Sequence, residues 1–570
     1  MVTRKPYAAR LLVRYTKTSW CASLLMSLGL LVTVSSWQKT GEYASLSPSS
    51  GNSFPVSYIA LQPTETSIVE PLLTDLGLQG SMLPNILTEK DIETYKAIFA
   101  AQQSGDWNDA RALMANLENN ILAGHVLAKH YLNSSHQSTV QELTDWLAEY
   151  NDHPQASAIY NLALAKSPAL KEQLPVVRRQ NQLNGYGDDN GLAILGNDAP
   201  YSQTWNAGLN AFRAGRMEEA ARFFTTVAKR RDEISPWMYS AASFWSYRAY
   251  NELGDKAEAS RYLNMAAENP RSFYGIIARK QLHRGLDLDA SPVKLTETDV
   301  LEMIGDPSVR RTIALSQIDM IDLAENELRA RFPQADDIEK PRLLALAHEL
   351  NLAAVQISMA RQLRDKDSRL DFARYPIPNW EPQGGFIIDP ALIFAMMRQE
   401  SGFRISAVSP QGALGLMQIM PQTASLMQKR ITVKNEIDLL PSSSAAEPVT
   451  NVTLGQNYIQ HLMETKMIEG NLFYLLASYN AGPGRLQDWK KSLAYNDDPL
   501  LFVESIPFAE TRNYVMQVMT NYWIYSELTG NANYSVYALL HGNWPWYEPY
   551  AGPVASRTVP KVTASSKTEG

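Results

Sequence analysis

Thiols are almost absent from this sequence: Cys21 is the only cysteine in 570 residues. A disulfide framework and a cysteine-based zinc site each need several thiols, so both are excluded as organising features. A basic surplus is absent as well. Lys and Arg number 52 against 59 Asp and Glu, for a formal net charge of −7. Duplex-binding proteins gather Lys and Arg against phosphates, so nucleic acid is not the expected partner. Histidine is sparse, with 8 in the chain, and no HExxH pair occurs; His125 and His130 are set on an alanine-rich stretch instead. No GxxxxGK[ST] loop is present, which argues against nucleotide-driven chemistry. Neither a metal nor a cofactor is expected.

Acidic residues are also missing from the first stretch, where none precedes Glu42. Arg4, Lys5, Arg10, Arg14 and Lys17 lead into an apolar run from about Trp20 to Val34. A basic end followed by a short apolar run is the layout of an export signal. At roughly 15 residues the run falls short of the about 20 that a spanning helix wants. Residues 1–36 are therefore expected to direct export into the cell envelope, the periplasm of a bacterium. The segment is then either cleaved near Val34-Ser35-Ser36 or kept as an inner-membrane anchor. Cys21 opens the apolar run rather than closing it, which does not suit lipid attachment.

The chain is too long for one core, and two to four domains are expected. Residues 37–85 are a low-complexity lead-in rich in Ser, Gly and Pro. Residues 86–370 read as helical almost throughout, with amphipathic, alanine-rich stretches broken by turns such as Ser104-Gly105-Asp106 and Leu253-Gly254-Asp255. In TWNAGLNAFRAGRMEEAARFFTTVAKR, Gly208, Gly215, Ala220 and Phe224 fall at the spacings of a tetratricopeptide-like repeat, where small residues let paired helices close up. A second copy runs AASFWSYRAYNELGDKAEASRYLNMAAENP, with weaker ones near Gly105 and Leu323. The fold class is all-α: a helical solenoid, then a second helical block. A Pro- and Gly-rich linker at 371–385 (YPIPNWEPQGG within it) separates the solenoid from residues 386–530. An aromatic and then disordered tail is expected over 531–570.

The chemistry is concentrated from Asp389 to Met427. Asp389 is a natural N-cap, Pro390 suits the first helical position, and Gly402 suits a left-handed end. On that helix Glu400 shares a face with Ile393, Met396 and Met397. A carboxyl aimed among apolar side chains loses hydration and holds its proton to higher pH. That is what a general acid acting on a glycosidic oxygen requires. A lone glutamate at an exposed helix end would mean nothing by itself; its company gives it weight.

That company is QESGF around Glu400, SPQGALGLMQIMP from Ser409 to Pro421, ASYNAGPGR from Ala477 to Arg485, and ESIPFAETRNYV from Glu504 to Val515. Taken together and in this order, the blocks resemble the catalytic core of family 1 soluble lytic transglycosylases. The resemblance implies a lysozyme-like helical domain preceded by a superhelix. It implies an enzyme acting on peptidoglycan strands with stem peptides, at the bond between N-acetylmuramic acid and N-acetylglucosamine, with Glu400 as acid and then base. It also implies substrate contacts from Ser409, Met417, Gln418, Tyr479 and Asn480, and a stem-peptide contact from Glu510. Each has a blander alternative. Ser409 before Pro410 suits a turn, Gln418 suits a backbone-bonding role in an apolar helix, Tyr479 suits core packing, and Glu510 with Arg512 suits a surface ion pair.

Ordinary glycosidases use two carboxyls. Asp389, at the other end of the helix, lies about 16 Å from Glu400 and is too far to serve as its partner. The resemblance implies a substitute, the substrate's own N-acetyl oxygen, with a 1,6-anhydro product and exolytic release. Two other readings stay open: a hydrolase like the goose-type lysozymes, and a scaffold that binds wall without cutting it.

Overall fold

The computed structural model describes residues 83–175, 177, 183, 198–363, 370–435, 445–531 and 533–550. The expected export segment, most of the lead-in and the end of the tail lie outside the described residues. Among those described, regular structure is helical, and the only β pairing is isolated bridges. No described helix is long and apolar enough to cross a membrane.

Helical hairpins build the first part, as the repeat spacing predicts. The helix Glu89–Ser104 ends at Gly105 in the left-handed region, and Asp106 then caps Trp107–Met114. The best repeat forms α1 (Ser202–Arg213) and α2 (Met217–Ala228), joined at Gly215 with φ 73°. Gly208 is needed for the close approach: a Cβ there would stand 2.6 Å from the ring of Phe224, which is fully buried. The next copy forms α3 (Pro236–Glu252) and α4 (Lys256–Ala266), turning at Gly254, and α5 (Phe273–Gln281) follows. Further helices run from Glu297–Met303 to Ala353–Leu363.

The C-terminal lobe comprises α6 (Pro390–Ser401), α7 (Pro421–Asn435), α8 (Pro448–Met463), α9 (Leu472–Ala481), α10 (Pro483–Ser492), α11 (Pro499–Ser505), α12 (Ala509–Leu528) and α13 (Tyr534–Leu540). α6 lies against α12 through the middle of the lobe.

The cores do not follow the expected boundaries. Trp205, Phe224, Trp245 and Phe273 share one continuous apolar cluster with Ile393, Met397, Phe473 and Trp523, so α1–α5 and the C-terminal lobe are packed as one body. The earlier helices share a second cluster with residues 295–373. Hydrogen bonds clamp the first of these unions. The Tyr274 hydroxyl donates to Glu504 Oε1 at 2.6 Å, Lys280 meets Glu527 at 2.7 Å, and Arg248 meets Asp498 at 2.5 Å.

One segment differs from expectation. The linker begins with a packed turn, Asp371–Arg374, where fully buried Asp371 takes the guanidinium of Arg271. Apolar Phe372 and Tyr375 pin it, which proline and glycine counts do not reveal. The aromatic part of the tail is packed on the lobe: Leu472 N–H donates to the Pro545 carbonyl and Tyr547 N–H to the Gly470 carbonyl.

Candidate active site

Glu400 occupies the last turn of α6, and the local sequence accounts for its placement. Asp389 caps the helix, its carboxylate accepting from Ala391 N–H at 3.0 Å, and Gly402 closes it with φ 59°. Ile393, Met396 and Met397 are fully buried, so the face they share with Glu400 points into the lobe. Part of Glu400 still reaches solvent. Its Oε1 accepts from the Tyr514 hydroxyl of α12 at 2.6 Å.

Burial pushes the Glu400 pKa up to about 7; the bond from Tyr514 pulls it down, and the charge of Glu510 pushes it up again. A carboxyl in that range holds a proton at neutral pH and can also give it up. Burial raises the hydroxyls of Tyr479 and Tyr514 well above 10, with the Glu400 charge acting the same way on each, so both stay protonated donors.

The loop from 402 to 420 forms the facing wall. It is wound tightly, with Phe403, Gly412, Gly415 and Gln418 all at positive φ. Ser401 Oγ donates to the Leu416 carbonyl at 2.8 Å, tying the residue after Glu400 to this loop. Buried Asn451 of α8 accepts from Met417 N–H at 2.8 Å and donates to the carbonyls of Leu414 and Ala445. The Tyr479 hydroxyl of α9 donates to the Met417 carbonyl at 2.8 Å. Two successive peptide units are thus fixed from three helices, Leu416–Met417 by Ser401 and Asn451 and Met417–Gln418 by Tyr479.

The expected site residues divide accordingly. Glu400 and Tyr479 come together, close enough for the Glu400 charge to act on the Tyr479 hydroxyl, but the hydrogen bond to Glu400 comes from Tyr514 rather than Tyr479. Met417 corrects an expectation: its side chain is fully buried, with its sulfur where a Cβ on Gly455 would go, so it packs the wall rather than lining a cleft. Gln418 is in the loop, not in a helix, with φ 47°; its amide donates to the carbonyls of Ala407 and Gly415. Ser409 Oγ accepts from Ala413 N–H at 3.0 Å and holds the turn. Asn480 ends α9 and accepts from Thr511 of α12 at 2.6 Å. Glu510 is exposed in the first turn of α12. It makes no ion pair with Arg512 among the described residues; Arg512 donates to the Ile506 carbonyl instead. Glu504 is engaged elsewhere, accepting from the Tyr274 hydroxyl.

Sequence reasoning missed Tyr514, Asn451, Ser401 and Thr511. Tyr514 lies within the fourth block, four residues after Glu510 and near the same helical face, a spacing that marks its face but not its partner. Asn451 carried only a weak signal, a carboxamide among Val and Thr.

The lobe is all-helical, with the half-buried Glu400 carboxyl at a helix end facing the wound loop from 402 to 420. Residues 381–500 match the family model described as Transglycosylase SLT domain, and residues 505–533 match the one described as Soluble lytic transglycosylase helical domain. Among curated relatives, the soluble lytic murein transglycosylase of Salmonella typhimurium is 28% identical over 430 residues, covering 74% of this chain and 58% of that one. The protein of the same name in Escherichia coli strain K12 is 29% identical over 303 residues, 51% of this chain and 43% of that one. The chain thus spans about half the length of these relatives. A solved complex of a 70-kDa soluble lytic transglycosylase with bulgecin A superposes with TM-score 0.50 at 22% identity, over 86% of this chain and 79% of that one. That likeness concerns the fold: a helical superhelix followed by a lysozyme-like helical domain.

Proposed function

We propose that this protein is a peptidoglycan lytic transglycosylase, exported to the periplasm, with Glu400 as its catalytic acid and base. The observation that carries this reading is the Glu400 carboxyl, half-buried, bonded to a neutral tyrosine and raised to about 7.

Protonated Glu400 gives its proton to the oxygen linking N-acetylmuramic acid to N-acetylglucosamine, and the bond from the anomeric carbon breaks. The substrate's N-acetyl oxygen takes up the positive charge on that carbon. The Glu400 carboxylate then takes the proton of the muramic acid 6-hydroxyl, whose oxygen closes onto the anomeric carbon. Proximity favours this ring closure over attack by free water. The product is a 1,6-anhydro sugar, and no water is consumed.

Tyr514 donates to Glu400 and steadies the ionised form between the two proton transfers. Gln418, Ser409 and Asn480 border the reacting sugar, and Tyr479 acts through the Met417 peptide it holds. Glu510, exposed beside the cleft, meets the stem peptide. The superhelix, sharing a core with the lobe, limits access so that strands are cut from their ends.

One observation favours a second reading. Glu510 is the carboxylate whose charge reaches Glu400, and a second carboxyl is what a hydrolase uses to activate water. Mass spectrometry of purified sacculi digested by the enzyme separates the two. Anhydro-muropeptides from wild type, and none from Glu400→Gln, are expected; reducing-end muramic acid as the main product would establish the hydrolase.

A further inference from the structure

The aromatic tail has no part in the chemistry above, yet it builds a cavity. At the opposite end of α6 from Glu400, a cavity of about 280 Å³ has Asp389 and Tyr522 in its lining, with Tyr534, Trp546 and Glu548 around it. The rise of a helix places it about 16 Å from the catalytic carboxyl along the axis.

Two properties define what fits there. Large rings remain in solvent: Trp546 is 49% exposed and Tyr534 57%, in a tail whose Trp544 packs against Tyr474 and Phe502. The polar lining pairs the carboxylates of Asp389 and Glu548 with the carboxamides of Asn531 and Asn533, and the two carboxylates disfavour an anion. Asp389 spends one oxygen on Ala391 N–H and the other on the Tyr522 hydroxyl at 3.0 Å. Four lone-pair positions on a carboxylate leave room for further donors. Glu548 is exposed at the rim. Hydroxyl donors on the edge of a ligand with an apolar face to lay on an indole describe a pyranose.

We infer that this cavity is a second saccharide site, for the neutral β-linked N-acetylglucosamine face of a glycan strand, holding polymer at the end of the lobe remote from Glu400. The choice of glycan rests on the proposed function; the existence of the site does not. Backbone bonds from Leu472 to Pro545 and from Tyr547 to Gly470 fix the tail, so the rings are preorganised. A second grip raises the effective concentration of an insoluble polymer at the cleft.

The test is calorimetric titration of Glu400→Gln with an N-acetylglucosamine tetrasaccharide, compared with the same protein carrying Trp546→Ala and Tyr534→Ala. Two equivalents falling to one, with retention on purified wall reduced about fivefold, is the expected result. One equivalent that vanishes in the tail variant would keep this site and remove support from the cleft instead. Stoichiometry unchanged by the tail substitutions, or no binding at all, would overturn the proposal. If the double variant does not fold, Tyr534→Ala and Glu548→Ala, both at exposed positions, are read by the same criteria.

Discussion

The two ends of α6 carry nearly the same chemical kit and behave differently. At the start, Asp389 is half-buried and bonded to the Tyr522 hydroxyl; at the finish, Glu400 is half-buried and bonded to the Tyr514 hydroxyl. Burial raises both carboxyls. Asp389, however, sits where the helix offers free N–H groups, and Ala391 N–H donates to it. The positive end of the helix dipole favours its ionised form. Glu400 stands at the opposite end, where carbonyls accumulate, and it faces the Glu510 charge. A carboxyl and a tyrosine are thus a helix cap at one end and an acid poised near neutrality at the other. Placement on the helix makes the difference.

The largest expected effect breaks the comparison outright. Glu400→Gln should lower turnover of sacculi by on the order of a thousandfold or more, the upper part of the range for a lost general acid–base group, whereas Asp389→Asn should leave turnover within a few-fold. Rates of anhydro-muropeptide release check both.

Smaller effects sharpen it. Tyr514→Phe removes the donor that lowers the Glu400 pKa. Activity that needs the protonated acid should then persist to higher pH, with peak turnover down about tenfold, in keeping with a lost charge-assisted hydrogen bond. Glu510→Gln removes a charge that raises that pKa, so the same alkaline limb should move to lower pH. Opposite displacements in the two pH–rate profiles are the signature; parallel ones would contradict the assignment.

Stability should follow protonation. Between the ordinary value of 4.5 and about 7, folded Glu400 keeps a proton that the unfolded chain releases. The folded state binds more protons there, so this group's contribution falls as pH rises. Glu400→Gln removes that penalty and should be more stable than wild type at pH 8 by about 1–3 kcal/mol, with no gain at pH 4. The smallest effect is at the cap: Asp389→Asn keeps a capping oxygen and should cost about 1 kcal/mol or less in denaturant unfolding.

How much of this was legible in the sequence depended on range. The cap at Asp389, Pro390 at the first position and the left-handed end at Gly402 are local events written in adjacent residues, and α6 begins and ends where they place it. The meeting of Gly208 with Phe224 was legible because repeat spacing encodes it. What stayed hidden was tertiary. Tyr514 and Glu400 lie 114 residues apart, and no local pattern chooses between Tyr479 and Tyr514 as the partner. Nor does the apolar character of Met417 reveal that Gly455 gives it a buried berth. Composition marks a boundary but does not reveal the shared core of α1–α5 with the C-terminal lobe, because apolar faces on both sides of that boundary are free to pair.

The most direct test is the titration of Glu400 itself, followed by carbon-13 NMR or infrared difference spectroscopy of the labelled carboxyl against a Glu400→Gln blank. A midpoint near 7 is predicted. A midpoint at the usual 4.5 would mean that the side chain is hydrated and already ionised at neutral pH, and it could not serve as the acid.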